Sequence, residues 1–202
     1  MLQTLNPKRE LNAMSALLSM ITALILLIGA TEVSAQSETQ AWEALREGKA
    51  VLILRHALAP GTDDPAHFEL GDCSTQRNLN DRGRQQASAW KPYLERRGIA
   101  EARVYTSQWC RSQDTATGMN IGDVAEWPAL NSFFQNRGKR STQTIETIEL
   151  VNRLEPGPPV IMVSHQVNIT ALSGVFPASN EGVILALPLT KAPDVLARVA
   201  PD

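Results

Sequence analysis

The stretch "VLILRHALAP", Val51–Pro60, decides the fold that this sequence predicts. Four apolar residues, mostly of β preference, lead directly into Arg55 and His56. A continuous apolar run of this length is typical of a strand that is covered on both faces, as in a parallel sheet. The sequence therefore predicts a buried strand that presents an arginine and a histidine side by side at its carboxyl end.

The length and charge of the chain limit the classes of protein to which it can belong. It has 202 residues and a formal net charge of -2 at pH 7. At roughly 100–200 residues per domain, this length fits one domain with a sizeable core. Nucleic-acid-binding proteins carry a basic surface that this balance does not provide. We therefore expect no nucleic-acid partner.

The first 35 residues have the form of a secretory signal peptide. Lys8 and Arg9 precede an apolar run from Ala13 to Ala30, and "VSA" then supplies the small residues at which a signal peptidase cleaves. We expect cleavage after residue 35 and a periplasmic or secreted location. The alternative is an uncleaved anchor, because the run approaches the roughly 20 residues that span a membrane. A membrane would then be contacted only through this segment.

The sequence contains two cysteines, Cys73 and Cys110. In an oxidising compartment they can form a disulfide, whereas the alternative is two unrelated buried thiols. The sequence does not supply the distance between them, so both alternatives stay open.

Residues 36–202 alternate between strand and helix patterns. Three further strands are predicted at "ARVYTS", "VIMVSH" and "GVILALP", and helices are predicted between them. Asn80 is expected to cap one helix, and Ser141 another whose apolar face includes Ile145. Such alternation predicts an α/β domain with a mainly parallel sheet.

Charged and polar side chains follow the predicted strands at one edge of this sheet. Arg55 and His56 end the first strand, Ser107 ends the second with Arg111 one helical turn later, and His165 ends the third. In open α/β sheets, ligands bind beyond the carboxyl ends of the strands. We therefore expect these side chains to meet at one rim.

Two arginines and two histidines at one rim suit a phosphorylated ligand. Guanidinium groups bind phosphate oxygens through paired donors, and a neutral imidazole can attack phosphorus. Each residue alone also has an ordinary structural interpretation, such as a solvated arginine or a buried histidine. The joint arrangement favours an anion site. The three scattered histidines have no metal-ligand spacing, and no cofactor is expected.

Taken in order, "LILRHA", "SQWCRSQDTA" and "VSHQVNI" resemble the motifs of the histidine phosphatase superfamily, small branch. "QRNLNDRGRQQA" resembles the stretch between the first two motifs, and the similarity extends from about Ala50 to Leu187. The resemblance implies a phosphoglycerate mutase-like fold with three layers, α/β/α. "DCSTQRNL" and "SQWCR" are similar to an exported bacterial subgroup.

The resemblance also implies roles for individual residues. His56 would be the nucleophile that becomes phosphohistidine. Arg55 and Arg111 would hold the transferring phosphoryl group, and His165 would contact its oxygens. The backbone N–H of Gln166 would bind the same group.

One expected residue of the family is missing. Many members carry a glutamate general acid in a segment similar to "PALNSFF", Pro128–Phe134, and no carboxylate occurs there. Candidates elsewhere are Asp63 and Asp64, in the long loop after the first motif, and Glu181 before the last strand. Water is the remaining alternative.

The resemblance therefore implies a metal-independent phosphatase that acts on a small phosphorylated substrate. Some relatives of the exported subgroup act on lipopolysaccharide core heptose phosphates, so an envelope or lipopolysaccharide-sugar phosphate is one candidate substrate. The missing glutamate motivates an alternative, a non-catalytic phosphate-binding module of the envelope. The oligomeric state is not predicted.

Overall fold

The computed structural model describes residues 37–201, and the predicted signal peptide lies outside them. The chain divides into two compact units, Met1–Thr39 and Gln40–Asp202. Of the first unit only residues 37–39 are described, and they are helical. All that follows concerns the second unit. Within residues 37–201, no helix has the length and apolar character needed to cross a membrane.

The centre of this unit is a six-stranded sheet of order β3-β2-β4-β1-β5-β6. The strands are β1 (Ala50–Arg55), β2 (Arg103–Thr106), β3 (Val124–Glu126), β4 (Val160–Ser164), β5 (Gly182–Ala186) and β6 (Val195–Val199). The pairs among β1, β2, β3 and β4 are parallel, whereas β5 pairs with β1 and β6 in antiparallel fashion. The prediction of a mainly parallel α/β sheet is confirmed.

Helices cover both faces of the sheet and complete three layers. They are α1 (residues 40–46), α2 (Asp81–Glu95), α3 (Cys110–Met119), α4 (Arg140–Asn152) and α5 (Gln166–Ser173). Alternate residues of β1 point to opposite layers, as the pleat of a strand requires. Leu52 packs with Trp90 of α2 in one core, and Ile53 packs with Val151 of α4 in the other.

The structure corrects two local predictions. Ser141 does not cap α4, because the helix begins at Arg140 and Lys139 occupies the capping position without a side-chain hydrogen bond. Of the apolar face predicted for this helix, Ile145 is 40% exposed, whereas Val151 is buried and Ile148 and Leu154 pack against the same core. Gln143 and Thr147 are buried as well. The predicted cap of α2 is confirmed, since the Asn80 side chain accepts a hydrogen bond from the Gly83 N–H.

The carboxyl ends of the central strands lie at one edge of the sheet. Arg55 at the end of β1 pairs with Ser164 at the end of β4, and Thr106 at the end of β2 pairs with Val163. The first turn of α2 also reaches this edge. A Cβ atom on Gly83 would lie only 2.2 Å from the carbonyl oxygen of Leu58, so only glycine permits this close approach.

The long loop at residues 59–78 is fastened to the start of α3. Cys73 and Cys110 form a disulfide with Cα atoms 5.7 Å apart. The N–H of Cys110 also donates to Oε1 of Gln76 at 3.0 Å. The disulfide alternative is therefore the one found in the structure, and it places the loop beside Arg111.

Candidate active site

A cavity of about 230 Å³ opens at the carboxyl edge of the sheet. Its lining includes the residues that the sequence predicted for the site, with the exception of Ser107 and Glu181: Arg55, His56, Asp63, Asp64, Arg111, His165 and Gln166. Three separate motifs of the sequence are thus brought together in one concave site.

His56 is buried immediately after β1, and its hydrogen bonds define its tautomer. Its Nδ1 lies 2.8 Å from the carbonyl oxygen of Ala57, which can only accept, so Nδ1 carries the proton. Nε2 therefore holds the lone pair, and Nε of Arg111 donates to it at 3.2 Å. Burial, followed by the charge of Arg111, holds the pKa of His56 well below its usual value. The ring is consequently neutral at mild pH.

His165 lies beside His56, at the junction of β4 and α5. The two ring centroids are 5.4 Å apart, with an interplanar angle of 64°. Nε2 of His165 lies 2.7 Å from Oγ of Ser107, which fixes the orientation of the ring. Burial, followed by the charge of Arg111, also lowers the pKa of His165 well below its ordinary range.

Three guanidinium groups line the same cavity, from Arg55, Arg77 and Arg111. The Nε atoms of Arg55 and Arg77 are buried without a hydrogen-bond partner. Burial lowers the pKa of Arg77 to about 10, and the charge of Arg111 adds to the effect. Buried donors with unmet hydrogen bonds are costly and point to an anionic ligand.

Arg111 is paired with Asp64. Nη1 and Nη2 of Arg111 contact the two carboxylate oxygens at 2.5 and 3.1 Å, and Nε1 of Trp109 donates to Oδ2 at 2.9 Å. Burial alone would raise the pKa of Asp64, but hydrogen bonding and the charge of Arg111 outweigh it and hold that pKa below the ordinary value. Asp64 is thus an ionised carboxylate in direct contact with the group that faces His56.

The other acid candidates differ in placement. Asp63 lines the cavity. Glu181 does not, and the structure argues against it as a proton donor to the site. Its carboxylate binds Arg198 at 2.6 Å and accepts the N–H of Ala178 at 2.7 Å. The charge of Glu181 is therefore paired with Arg198 of β6 and does not face the cavity.

Gln166 is the first residue of α5 and lines the cavity. Its side-chain amide donates to Oγ1 of Thr170 at 2.8 Å, so the amide is directed along its own helix. The N-terminus of α5 is aimed at the site, and helix N-termini favour negative charge. A role for its backbone N–H stays a prediction.

Sequence reasoning missed Arg77 and Trp109 as members of the site. Arg77 lies four residues after Cys73, and Trp109 directly precedes Cys110. The loop that contains Arg77 has no periodic pattern from which its position could be predicted. The one signal available was the pair of cysteines. A bridge from Cys73 to Cys110 brings Arg77 close to Arg111, whose Nη1 donates to the Arg77 carbonyl oxygen at 3.4 Å.

Comparisons with known proteins agree with this geometry. The sequence profile described as Histidine phosphatase superfamily (branch 1) matches residues 51–137. No curated protein matches the chain significantly.

Solved structures are similar in fold. The protein histidine phosphatase SixA, complexed with tungstate, is 17% identical, with a TM-score of 0.52 over 75% of this chain and 97% of that one. An open reading frame of Mycobacterium tuberculosis is 17% identical, with a TM-score of 0.55 over 75% and 96% of the chains. Phosphoserine phosphatase from Entamoeba histolytica, in complex with 3-phosphoglyceric acid, is 13% identical, with a TM-score of 0.52 over 75% and 96%. At these identities the likeness establishes the fold.

Within residues 37–201, no cluster of three or more His, Cys, Asp or Glu side chains has a geometry that could hold a metal ion. The expectation that the reaction proceeds without metal or cofactor stays a prediction.

Proposed function

We propose that the chain, whose residues 51–137 match the profile of the histidine phosphatase superfamily, is a phosphatase of that superfamily and hydrolyses a phosphomonoester through a phosphohistidine formed on His56. The observation that carries this proposal is the unprotonated Nε2 of His56 in a cavity that three guanidiniums and a second imidazole also line. The guanidiniums supply charge-assisted donors to the phosphoryl oxygens. They would bind the substrate and stabilise the charge that spreads over those oxygens in the transition state.

The first chemical step is an in-line displacement at phosphorus. The lone pair on Nε2 of His56 forms the N–P bond while the P–O bond to the leaving group breaks. The departing oxygen keeps the bonding electrons and takes up a proton from an acid or from water. Water then attacks the phosphorus and gives up a proton to the conjugate base of the acid or to solvent. The N–P bond breaks, its electron pair returns to Nε2 of His56, and inorganic phosphate leaves. The hydrogen bond from Nδ1 to Ala57 holds the ring in the attacking tautomer throughout.

Asp64 is the carboxylate that we assign as the proton donor. A bound phosphoryl dianion would compete with Asp64 for Nη1 and Nη2 of Arg111. When Arg111 turns to the dianion, Asp64 loses its main counter-charge and faces negative charge in a buried site. Both changes raise the pKa of a carboxyl. Asp64 would then take up a proton and could donate it to the leaving oxygen. Asp63 is the second candidate, because it lines the same cavity.

We also propose that the protein acts outside the cytoplasm, in the periplasm or as a secreted protein. The signal-like segment at residues 1–35 supports this location, and so does the Cys73–Cys110 disulfide, since structural disulfides persist in oxidising compartments. An envelope or lipopolysaccharide-sugar phosphate is therefore one substrate class to include in a screen.

A non-catalytic phosphate-binding module is the alternative. The specific observation in its favour is the pairing of Arg111 with Asp64, together with the absence of a carboxylate from Pro128–Phe134. Such a module would bind phosphate with the same guanidiniums but would not hydrolyse phosphomonoesters.

Hydrolysis of p-nitrophenyl phosphate between about pH 4 and 8 separates the two functions, because this ester has a leaving group that needs little protonation. We expect turnover by the purified protein, and none by a His56→Ala variant of unchanged circular dichroism. Tight vanadate binding without any turnover in that range would instead support the binding module.

A further inference from the structure

Two exposed phenylalanines line the mouth of the same cavity. Phe134 is 40% exposed and Phe176 is 67% exposed, and both belong to its lining. They come from separate segments, since Phe134 follows the 3-10 turn Pro128–Leu130 and Phe176 follows α5. Among the described residues, Phe176 is the most exposed large apolar side chain.

Exposure alone does not distinguish these rings, because single exposed apolar residues are normal on a soluble protein. Ile145 and Val195 are each 40% exposed and do not line this cavity. What distinguishes Phe134 and Phe176 is that they share one concave site with the guanidiniums and His56. A ligand held by its phosphoryl group at the base of this site therefore has the rings within its reach.

Each ring lies beside a contact made by an arginine. Nη1 of Arg55 donates to the carbonyl oxygen of Pro177 at 3.2 Å, so an arginine of the anion site also fixes the backbone next to Phe176. The guanidinium carbon of Arg137 lies 5.2 Å from the ring centroid of Phe134, within the range of a cation–π contact. The backbone beside Phe176 is therefore tied to the anion site, and the ring of Phe134 packs against Arg137.

The size of the cavity decides which part of a substrate meets this surface. At about 230 Å³ it is smaller than the roughly 300–1,000 Å³ typical of sites that enclose a drug-sized ligand. The charged groups at its base occupy a phosphoryl group. A leaving group larger than a few atoms would then extend toward the exposed part of the lining, which includes Phe134 and Phe176.

We propose that Phe134 and Phe176 form a subsite for a flat, apolar leaving group, so that the preferred substrates are aryl phosphomonoesters. This inference rests on the proposed function of the anion site. Aromatic rings pair favourably with other aromatic rings beyond the area that they bury. A polyhydroxylated leaving group would instead have to give up water at its hydroxyls against two apolar rings.

Two polar neighbours of the rings already have partners within the protein. The amide of Gln166 donates to Thr170, and Oγ of Ser132 accepts the N–H of Phe134 at 3.3 Å. These bonds engage one polar group of each of the two side chains.

Binding of phosphonates tests this subsite without depending on turnover, because their C–P bond is not hydrolysed. Isothermal titration would compare benzylphosphonate, methylphosphonate, the polyol 3,4-dihydroxybutylphosphonate and inorganic phosphate. Partial burial of one ring predicts that benzylphosphonate binds on the order of tenfold more tightly than methylphosphonate. Phe134→Ala and Phe176→Ala should each reduce that preference by about threefold and leave the affinity for inorganic phosphate unchanged. Ile145→Ala is the matched control, and it should retain the full preference.

The outcomes separate the subsite from the function on which it rests. Equal affinity for benzyl- and methylphosphonate, with phosphate still bound, would overturn the aromatic subsite and leave the anion site standing. Tighter binding of the polyol than of benzylphosphonate would also overturn it, in favour of a sugar-like leaving group. Failure of every phosphonate and of inorganic phosphate to bind would contradict the proposed function itself. Thermal melting of each variant verifies that it is folded.

Discussion

Asp64 and Arg111 form a bidentate ion pair in which both side chains are buried, 8% and 4% exposed. Arg111 simultaneously donates from Nε to Nε2 of His56. One guanidinium thus contacts both the candidate nucleophile and the candidate acid. In the mechanism that we propose, an entering phosphoryl group competes with Asp64 for Arg111, and this competition couples substrate binding to proton supply.

Asp64→Asn should have opposite effects on binding and on catalysis. The amide removes the charge that competes for Arg111, so we expect vanadate to inhibit several-fold more strongly. Loss of the acid should lower kcat for alkyl phosphates by about 10²-fold or more and affect p-nitrophenyl phosphate much less. Steady-state kinetics with both esters measures the difference. Asp63→Asn is the matched comparison, and an alkyl-ester defect confined to that variant would transfer the role to Asp63.

Arg77→Ala should weaken phosphate and vanadate binding. Hydrogen bonds to charged groups contribute about 1.5–3 kcal/mol, which corresponds to a roughly 10- to 100-fold loss of affinity. Arg77→Lys should recover only part of it, because an ammonium lacks the paired donors of a guanidinium. Arg153→Ala removes a solvent-exposed arginine that directly follows α4, and it serves as the control. If vanadate inhibited the Arg77→Ala variant as strongly as the control, Arg77 would not be part of the anion site.

The lowered pKa values of His56 and His165 predict a loss of stability in acid. The unfolded chain binds protons at histidines near pH 6.5, whereas the buried rings remain neutral to lower pH. The free energy of unfolding should therefore be fully retained above pH 6.5 and decrease as the pH falls below that value. Urea denaturation at pH 7.5 and 5.5 measures the decrease, and His165→Asn should reduce it. If the free energy of unfolding of His165→Asn decreased with pH by the same amount as that of the wild-type protein, His165 would not contribute to the pH dependence of stability.

The lowered pKa of His56 also predicts how activity changes with pH on the acid side of the profile. Since attack requires neutral His56, kcat/KM for p-nitrophenyl phosphate should persist at pH values below 6.5, where an ordinary imidazole is mostly protonated. A profile that falls with an apparent pKa at or above 6.5 would contradict a buried, neutral nucleophile.

Removal of the Cys73–Cys110 disulfide should destabilise the protein and loosen the site. The loop that it closes spans 37 residues, for which chain entropy predicts about 4 kcal/mol of unfolding free energy. A Cys73→Ala/Cys110→Ala double variant should show this loss in urea denaturation and weaker vanadate binding. Mass spectrometry of the unreduced wild-type protein should show two hydrogens fewer than the reduced form. Free thiols in exported protein would contradict the bridge.

The strand ends of this fold were predictable from sequence because each central strand is a buried apolar run that stops at a polar residue. Arg55, His56 and His165 follow directly from that pattern, and Arg111 lies one turn into a helix that begins at the same edge. Edge strands β3 and β6 were not predicted. All three residues of β3 are exposed, and β6 has only one buried residue, so neither shows the apolar pattern of the central strands.

The long loop was the part of the site that sequence could not place. Its position depends on contacts distant in sequence, namely the disulfide, the Gln76–Cys110 hydrogen bond and the Asp64–Arg111 pair. Local pattern therefore left Asp63, Asp64 and Glu181 equivalent as acid candidates. Tertiary structure separates Asp64 from Glu181, because Arg111 engages Asp64 while Arg198 engages Glu181.

Rapid acid-free quenching during turnover of p-nitrophenyl phosphate, followed by peptide mass spectrometry, tests the central claim most directly. Phosphohistidine is labile in acid, so digestion must be carried out at alkaline pH. We predict a phosphoryl group on the peptide that contains His56, and its absence in the His56→Ala variant. Turnover with the phosphoryl group found on another residue, or with no phosphorylated peptide under conditions that preserve a phosphohistidine standard, would contradict nucleophilic catalysis by His56.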